Sequence, residues 1–301
     1  MIVTVTCNPS VDYVMRMEDV TLGGLNRAKE IYAYPGGKGI NVARVCTTLG
    51  AKTKALGFVG GFTGAYIRDW VKKEGIQEEF LDVEEMTRIN VKVKHMEETE
   101  LNGTSGTIPE EAVANLQKQL AEVSAEDIVV FAGSLPDDMK EKGYKRFVKQ
   151  VATKKAKWVL DTNGPELIEL LPYQPLLIKP NHHELAEAFG VDIASIDEAI
   201  PYAKELVDKG AQHVIVSFAG QGALCVTEDK ILRATAPKGT VKNSVGAGDS
   251  LVAGFLTAYQ RGDSLKEAFR QGVAAGSATA FSNGFCTKEH VAQLKREIVL
   301  T

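Results

Sequence analysis

The chain has 301 residues, 44% of them hydrophobic and 25% charged, with a formal net charge of −4. This is globular composition, long enough to bury a large core without disulfide or metal staples. The weakly acidic balance argues against non-specific nucleic-acid binding, which needs a basic surface. No apolar stretch approaches the roughly 18 residues of a membrane span.

The predicted elements alternate between strand and helix. Residues 2–6 are a β-branched run of the kind found in a buried strand. Residues 39–49 read as a helix stopped by Gly50, 55–59 as a strand and 63–74 as a helix. In 111–123 the side chains of Val113, Leu116, Leu120 and Val123 fall on one helical face. Strands are predicted over 127–131, 158–160, 176–178 and 213–218. Ser195 with Glu198 and Ser264 with Glu267 are capping boxes that open amphipathic helices. The alternation predicts one α/β domain over 1–301, three layers deep, with a mostly parallel central sheet covered by helices on both faces.

Two segments break this rhythm. Residues 26–34 and 88–97 alternate apolar and polar side chains with period two. Ile89, Val91 and Val93 point one way, and Asn90, Lys92 and Lys94 the other. The pattern suits antiparallel strands with two unlike faces, so a small β-sheet lid is expected from about 12–35 and 88–107. Lys92 reads as a lysine that keeps a lid strand soluble. An apolar lid face would pair with the lid of a second copy, so a homodimer is expected.

The four cysteines, Cys7, Cys46, Cys225 and Cys286, form no CxxC pair and lie in or near apolar runs. They read as reduced, buried thiols of a cytoplasmic protein. The first residues have no basic segment followed by an apolar one, so no signal peptide is expected.

Neither the P-loop pattern nor GxGxxG after a strand is present. The run from Asn243 to Ser250 instead places Gly246, Ala247 and Gly248 at the start of a helical stretch. Small residues there let backbone N–H groups converge on an anion at the positive end of the helix dipole. Asp249 stands beside that nest, where a carboxylate accepts a proton from an attacking hydroxyl. In the run 34–41, Gly36, Gly37 and Gly39 allow close ligand approach, Lys38 adds positive charge and Asn41 hydrogen-bonds hydroxyls. Asp12 follows the first strand's carboxyl end, where open α/β sheets bind ligands. Asn181 and Glu184, three apart at a helix start, pair an amide with a carboxylate that would orient Mg²⁺ through its waters. His182 and His183 are adjacent on that helix, so they are expected to point apart and to cap or face solvent rather than chelate.

Taken together and in this order, these clusters resemble the PfkB, or ribokinase-like, sugar kinase family over essentially the whole chain. The resemblance implies a three-layer α/β/α fold with a β-sheet lid, and ATP with Mg²⁺ as co-substrate. The stretches at 6–12, 133–136, 87–92 and 98–103 are most similar to the hexose-phosphate branch. They lie nearer the kinases that phosphorylate fructose 1-phosphate at the 6-hydroxyl than those acting on tagatose 6-phosphate. The alternatives are those tagatose 6-phosphate kinases, a fructose 6-phosphate kinase and a sugar-phosphate-binding regulator that has lost catalysis. By resemblance, Asp12, Gly37 and Asn41 hold sugar hydroxyls, and Lys38 and Arg88 grip the sugar's phosphate, assisted by Arg27, with Ser134 also on the substrate side. Gly246, Ala247 and Gly248 form the anion hole and Asp249 is the base. Lys179, Asn181 and Glu184 attend Mg-ATP, while Ser217, Gly220, Gly222, Ser244 and Asn283 border the nucleotide. The resemblance also admits a monovalent cation such as K⁺ near residues 243–244 and 282–284.

Overall fold

The computed structural model describes residues 1–96, 98–140, 143–162 and 166–301. Among the described residues, ten strands build the main sheet, in the order β14-β13-β12-β11-β10-β9-β1-β4-β5 with β6 also on β4. They are β1 (Ile2–Thr6), β4 (Thr53–Val59), β5 (Gln77–Glu78), β6 (Leu81–Asp82), β9 (Ile128–Ala132), β10 (Lys157–Asp161), β11 (Leu177–Ile178), β12 (Val214–Ser217), β13 (Ala223–Val226) and β14 (Ile231–Ala234). All pairings from β5 and β6 to β12 are parallel, and β13 and β14 close one edge in antiparallel fashion.

Alternation along the strands divides the core. Val3, Val5, Val129 and Phe131 face one cluster, whereas Ile2, Ile128 and Val130 face the other. The first cluster is covered by α3 (Glu110–Ala121), α4 (Lys145–Thr153), α6 (His182–Phe189) and α7 (Ile196–Asp208) through Leu116, Phe147, Leu185 and Leu206. The second is covered by α1 (Lys38–Thr48), α8 (Ala247–Gln260) and α9 (Leu265–Ala280) through Val42, Val45, Phe255 and Phe269. α2 (Gly61–Lys73) has its own smaller cluster around Ile67 and Val71. The remaining helices are α5 (Glu166–Glu169) and α10 (Lys288–Leu294). Both faces of the sheet are thus buried, which is why its strands read as continuous apolar runs. Only the serine half of each predicted capping box forms: Ser195 and Ser264 accept from the N–H groups of Glu198 and Glu267, but Glu198 turns to the N–H of Ala194 and Glu267 pairs with Arg270 and Lys295.

The second sheet has the order β3-β2-β7-β8, from β2 (Ser10–Arg16), β3 (Glu30–Gly36), β7 (Ile89–Lys94) and β8 (Glu98–Asn102). β2–β3 and β7–β8 are antiparallel, as expected. The central pair β2–β7 is parallel, which corrects the all-antiparallel expectation. The reason is geometric: β2 and β7 each begin beside the body, where Val11 N–H bonds Arg88 O, and run outward together. A second correction concerns the polar face. Asn90 and Lys92 are buried while Ile89, Val91 and Val93 are half-buried, and Lys92 pairs with Glu100 at 3.1 Å rather than facing solvent. Glu97, at the end of the expected second strand, lies outside the described residues.

All four cysteines are free and buried. Burial pushes the thiols of Cys46 and Cys225 up to about 12 and raises Cys7 and Cys286 as well. No helix among the described residues is long and apolar enough to cross a membrane.

Candidate active site

Parallel strands place their carboxyl ends on one rim. Side chains at or just past the ends of β1, β9, β10, β11 and β12, namely Thr6, Ser134, Asp161, Lys179 and Ser217, line a cleft of about 1160 Å³. The N-termini of α1 and α8 add Lys38, Asn41, Gly246, Gly248 and Asp249 to the floor. The small sheet adds Asp12, Arg88 and Asn90 as a roof. The chain order reverses around β1, which neighbours β4 on one side and β9 on the other. Such a switch point is where open α/β sheets hold ligands.

Asp249 sits in the first turn of α8, 6% exposed, and its Oδ2 accepts a hydrogen bond from Asn41 Nδ2 at 2.8 Å. Burial first, and the Asp161 carboxylate second, push its carboxyl up to about 6, against the pull of Lys38, Asn41 and Lys179. Gly246 caps α8 with φ +76°, and a Cβ there would lie 2.5 Å from the Phe285 ring. A Cβ on Gly248 would lie 3.2 Å from Lys179 Nζ. The helix start is thus an amide-lined concavity with a lysine ammonium at its lip.

Ala247 departs from expectation. Its N–H donates to Ser244 O at 3.2 Å, closing a turn, and it does not line the cleft. The cradle therefore narrows to Gly246, Gly248 and the amide of Asp249.

Opposite Asp249 lies Asp161, 2% exposed, with Lys38 Nζ at 3.3 Å and Lys179 Nζ at 3.6 Å. Burial drives its carboxyl upward, but the two ammonium groups outweigh that and hold it below the usual range. Burial likewise pulls Lys38 down, while Asp161, Asp249 and Glu184 more than offset it. Among the described residues, Asp161 Oδ2 is buried without a partner. Sequence reasoning misses Asp161, which directly follows the predicted strand 158–160, although the carboxyl-end rule that flags Asp12 applies to it equally.

Asn181 and Glu184 form a reciprocal capping box: Asn181 Oδ1 accepts from Glu184 N–H, and Glu184 Oε2 accepts from Asn181 N–H. An isolated bridge to Ser217 fixes Asn181 at the rim, and both residues line the cleft. No group of three or more metal-binding side chains exists among the described residues. A buried carboxylate oxygen without a partner, beside an amide and a second carboxylate, fits a Mg²⁺ ion held mainly by phosphate and water. His182 and His183 do not point apart as expected. Their rings lie 3.8 Å from one another, and His182 stacks on Phe218.

On the roof side, Asp12 Oδ1 accepts from Ser10 Oγ at 2.7 Å and from Asn90 Nδ2 at 3.4 Å. Gly36 leaves room for this pair, since a Cβ there would be 2.5 Å from Asp12 Oδ1. Gly37, with φ +114°, approaches Thr6. Arg88 donates to the carbonyls of Asn8 (3.2 Å) and Pro9 (3.4 Å), so it also braces the turn between β1 and β2. Asn8 Nδ2 donates to the Ser105 and Ser134 hydroxyls.

Besides Ala247, five further expected site residues stand outside this cleft. Arg27 is exposed and lines neither the cleft nor the adjoining cavity. Gly220 and Gly222 belong to the turn between β12 and β13, and Gly222 is required there because a Cβ would meet Ala234 O at 2.0 Å. Ser244 is exposed and serves the 244–247 turn through its carbonyl. Asn283 lines an adjoining 440 Å³ cavity with Asn243, Arg44 and Phe285.

Fold and floor together define a phosphoryl-transferring enzyme of the ribokinase-like kind. The pattern of the pfkB family carbohydrate kinases matches residues 5–291, and the chain belongs to that family. It is 49% identical to the 1-phosphofructokinase of Bacillus subtilis (strain 168), covering 100% of this chain and 99% of that one. It is 36% identical to the D-tagatose-1-phosphate kinase of Bacillus licheniformis, covering 100% and 99%. The crystal structure of phosphofructokinase-2 from Escherichia coli with substrates and products superposes with a TM-score of 0.93 at 28% identity, covering 98% of both chains. The same enzyme in complex with potassium superposes at 0.92, with the same identity and coverage.

Proposed function

We propose that this kinase transfers the γ-phosphoryl group of ATP to the 6-hydroxyl of fructose 1-phosphate, giving fructose 1,6-bisphosphate. The observation that carries the chemistry is Asp249, buried and held by Asn41 at the amide-lined start of α8. The substrate reading is supported by the full-length similarity to a 1-phosphofructokinase. A second reading, tagatose 1-phosphate, is favoured by the similarity to a kinase named for that sugar. Both sugars carry the phosphate at carbon 1 and differ in configuration at carbon 4, so in either case the phosphate belongs near Arg88 and the accepting hydroxyl near Asp249.

The residues act as follows. Asp249 takes the proton of the 6-hydroxyl as that oxygen bonds to the γ-phosphorus, and the bond to the departing ADP oxygen breaks in line. The Gly246, Gly248 and Asp249 amides, with Lys179, stabilise charge on the transferring group, and so does Lys38, whose 3.3 Å contact with Asp161 supports a place on the floor instead of the expected one beside Arg88 on the sugar's phosphate. Asp161, Asn181 and Glu184 would hold Mg²⁺, which would supply charge neutralisation on the phosphates. Ser217 borders the nucleotide. The small sheet acts as a lid that excludes water as a competing acceptor. It also serves as the contact for a second copy, supported by the exposed Ile31, Tyr32 and Leu101 on its strands. A K⁺ ion beside Asn243 and Asn283 is part of this reading, and so is the cytoplasm as the working compartment, supported by four free thiols.

The test is ADP release with Mg-ATP and each of fructose 1-phosphate, tagatose 1-phosphate, tagatose 6-phosphate and fructose 6-phosphate. Fructose 1-phosphate should give the highest kcat/KM. A higher value for another sugar replaces the substrate and leaves the mechanism. Binding of sugar phosphates with no turnover of any of them would replace the kinase reading with that of a regulator.

A further inference from the structure

Among the described residues, a buried polar atom of Asn90 has no hydrogen-bond partner. The residue is 9% exposed, lies on β7 and lines the cleft beside Asp12. Its Nδ2 donates to Asp12 Oδ1 at 3.4 Å, whereas its Oδ1 is buried without a partner. The orientation of the amide is fixed by its neighbour: turned over, it would set a carbonyl oxygen against a carboxylate oxygen. An unsatisfied buried acceptor is costly, so one kept in a residue that lines a cleft points to a ligand donor that meets it.

Ser10 Oγ and Asn90 Nδ2 both converge on Oδ1 of Asp12. With Oδ1 so engaged, two acceptors on adjacent strands, Asp12 Oδ2 and Asn90 Oδ1, remain for a ligand, on residues that both line the cleft. Asp12 and Asn90 are register partners across the parallel β2–β7 pair. Side chains so placed lie roughly 5 Å apart at Cβ, within reach of neighbouring hydroxyls on one sugar ring.

We propose that Asn90 is a specificity-determining residue that accepts a hydrogen bond from a ring hydroxyl adjacent to the one read by Asp12. The two residues form a paired reader for a vicinal diol. This rests on the hexose-phosphate reading above. A site built to accept from a hydroxyl rejects analogues that lack it, because the acceptor is then left buried and alone. Asn41 and Lys38 sit on the opposite, reacting side, so this reader acts on sugar binding and not on the proton transfer.

The experiment compares fructose 1-phosphate with its 3-deoxy and 4-deoxy analogues, by calorimetric binding without nucleotide and by kcat/KM. The proteins are the wild type, Asn90→Leu, which removes donor and acceptor at similar volume, and Asn90→Asp, which keeps an acceptor. The wild type should bind one analogue about 10–100-fold more weakly than the parent sugar. Asn90→Leu should lose that discrimination and Asn90→Asp should keep it, with KM for ATP unchanged in both. Equal discrimination in all three proteins overturns the proposal and leaves Asn90 as a mere brace for Asp12. If Asn90→Leu does not fold, Asn90→Ser, too short to reach, takes its place with the same two outcomes. If fructose 1-phosphate does not bind and another hexose phosphate does, the substrate reading fails alone, and the deoxy analogues of that sugar decide on Asn90.

Discussion

The floor and the roof of the cleft are built by different means. The floor groups Asp161, Lys179 and Asp249 are 2–6% exposed and stand on elements anchored in the two large core clusters. The roof is a four-stranded sheet whose anchorage is a small cluster that takes in Val11 with the partly buried Ala33 and Ile89. Charge that must not move is placed where side chains have no freedom. In the proposed reading, the recognition groups that close on a substrate are placed where few apolar contacts resist motion. Substitutions in the floor should therefore act on kcat and stability, and those in the roof on KM.

The largest effect is expected for Asp249→Asn, which should lower kcat by about 10²–10⁴-fold with little change in KM for the sugar. Retention of kcat within tenfold would remove Asp249 from the role of base. Asp161→Asn comes next. It leaves the ammonium groups of Lys38 and Lys179 without their shared counter-charge, so chemical denaturation should show a loss of roughly 3–5 kcal/mol. The same variant tests the pH profile. Asp249 works only when ionised, so raising its carboxyl to about 6 makes kcat/KM fall as pH drops below that value. Asp161 is one cause of the rise, so its removal should move the acid limb to lower pH. An unmoved limb would mean that burial alone sets it.

Gly246→Ala should lower kcat on the order of 10²-fold, because the new Cβ would strain a φ of +76° and press on Phe285, displacing the cradle. Arg88→Ala sharpens the contrast from the roof: steady-state kinetics should show KM for the sugar phosphate raised about 10–100-fold, with KM for ATP unchanged. A fall confined to kcat would break the division between floor and roof. Ser264→Ala, far from both, should cost about 1 kcal/mol in thermal or denaturant unfolding through the lost cap on α9 and leave kinetics untouched.

Much of this was legible in local pattern. Strands buried on both faces announce themselves as apolar runs, and α1 and α8 are announced by the glycine clusters that precede them. Asp161 was legible only as a carboxylate at a strand's carboxyl end; its contact with Lys38, 123 residues away, leaves no local motif. The parallel pairing of β2 with β7 was hidden for the same reason, since register between distant strands leaves no trace in either. The short β13 and β14 follow a tight turn and pass below the length at which alternation can be seen. Ala247 shows the opposite failure: its place in a glycine-rich motif suggested an anion contact, but a turn to Ser244 takes up its N–H.

The four buried thiols offer a built-in clock. Pushed up as they are, they stay protonated in the folded protein and react with an alkylating reagent only when their surroundings open. They report from different places: Cys7 follows β1, Cys46 lies in α1, Cys225 in β13 and Cys286 in the loop behind the anion cradle. The order in which they become alkylated would chart which parts of the molecule breathe first, and whether a bound sugar phosphate stills the cleft before it stills the edge of the sheet.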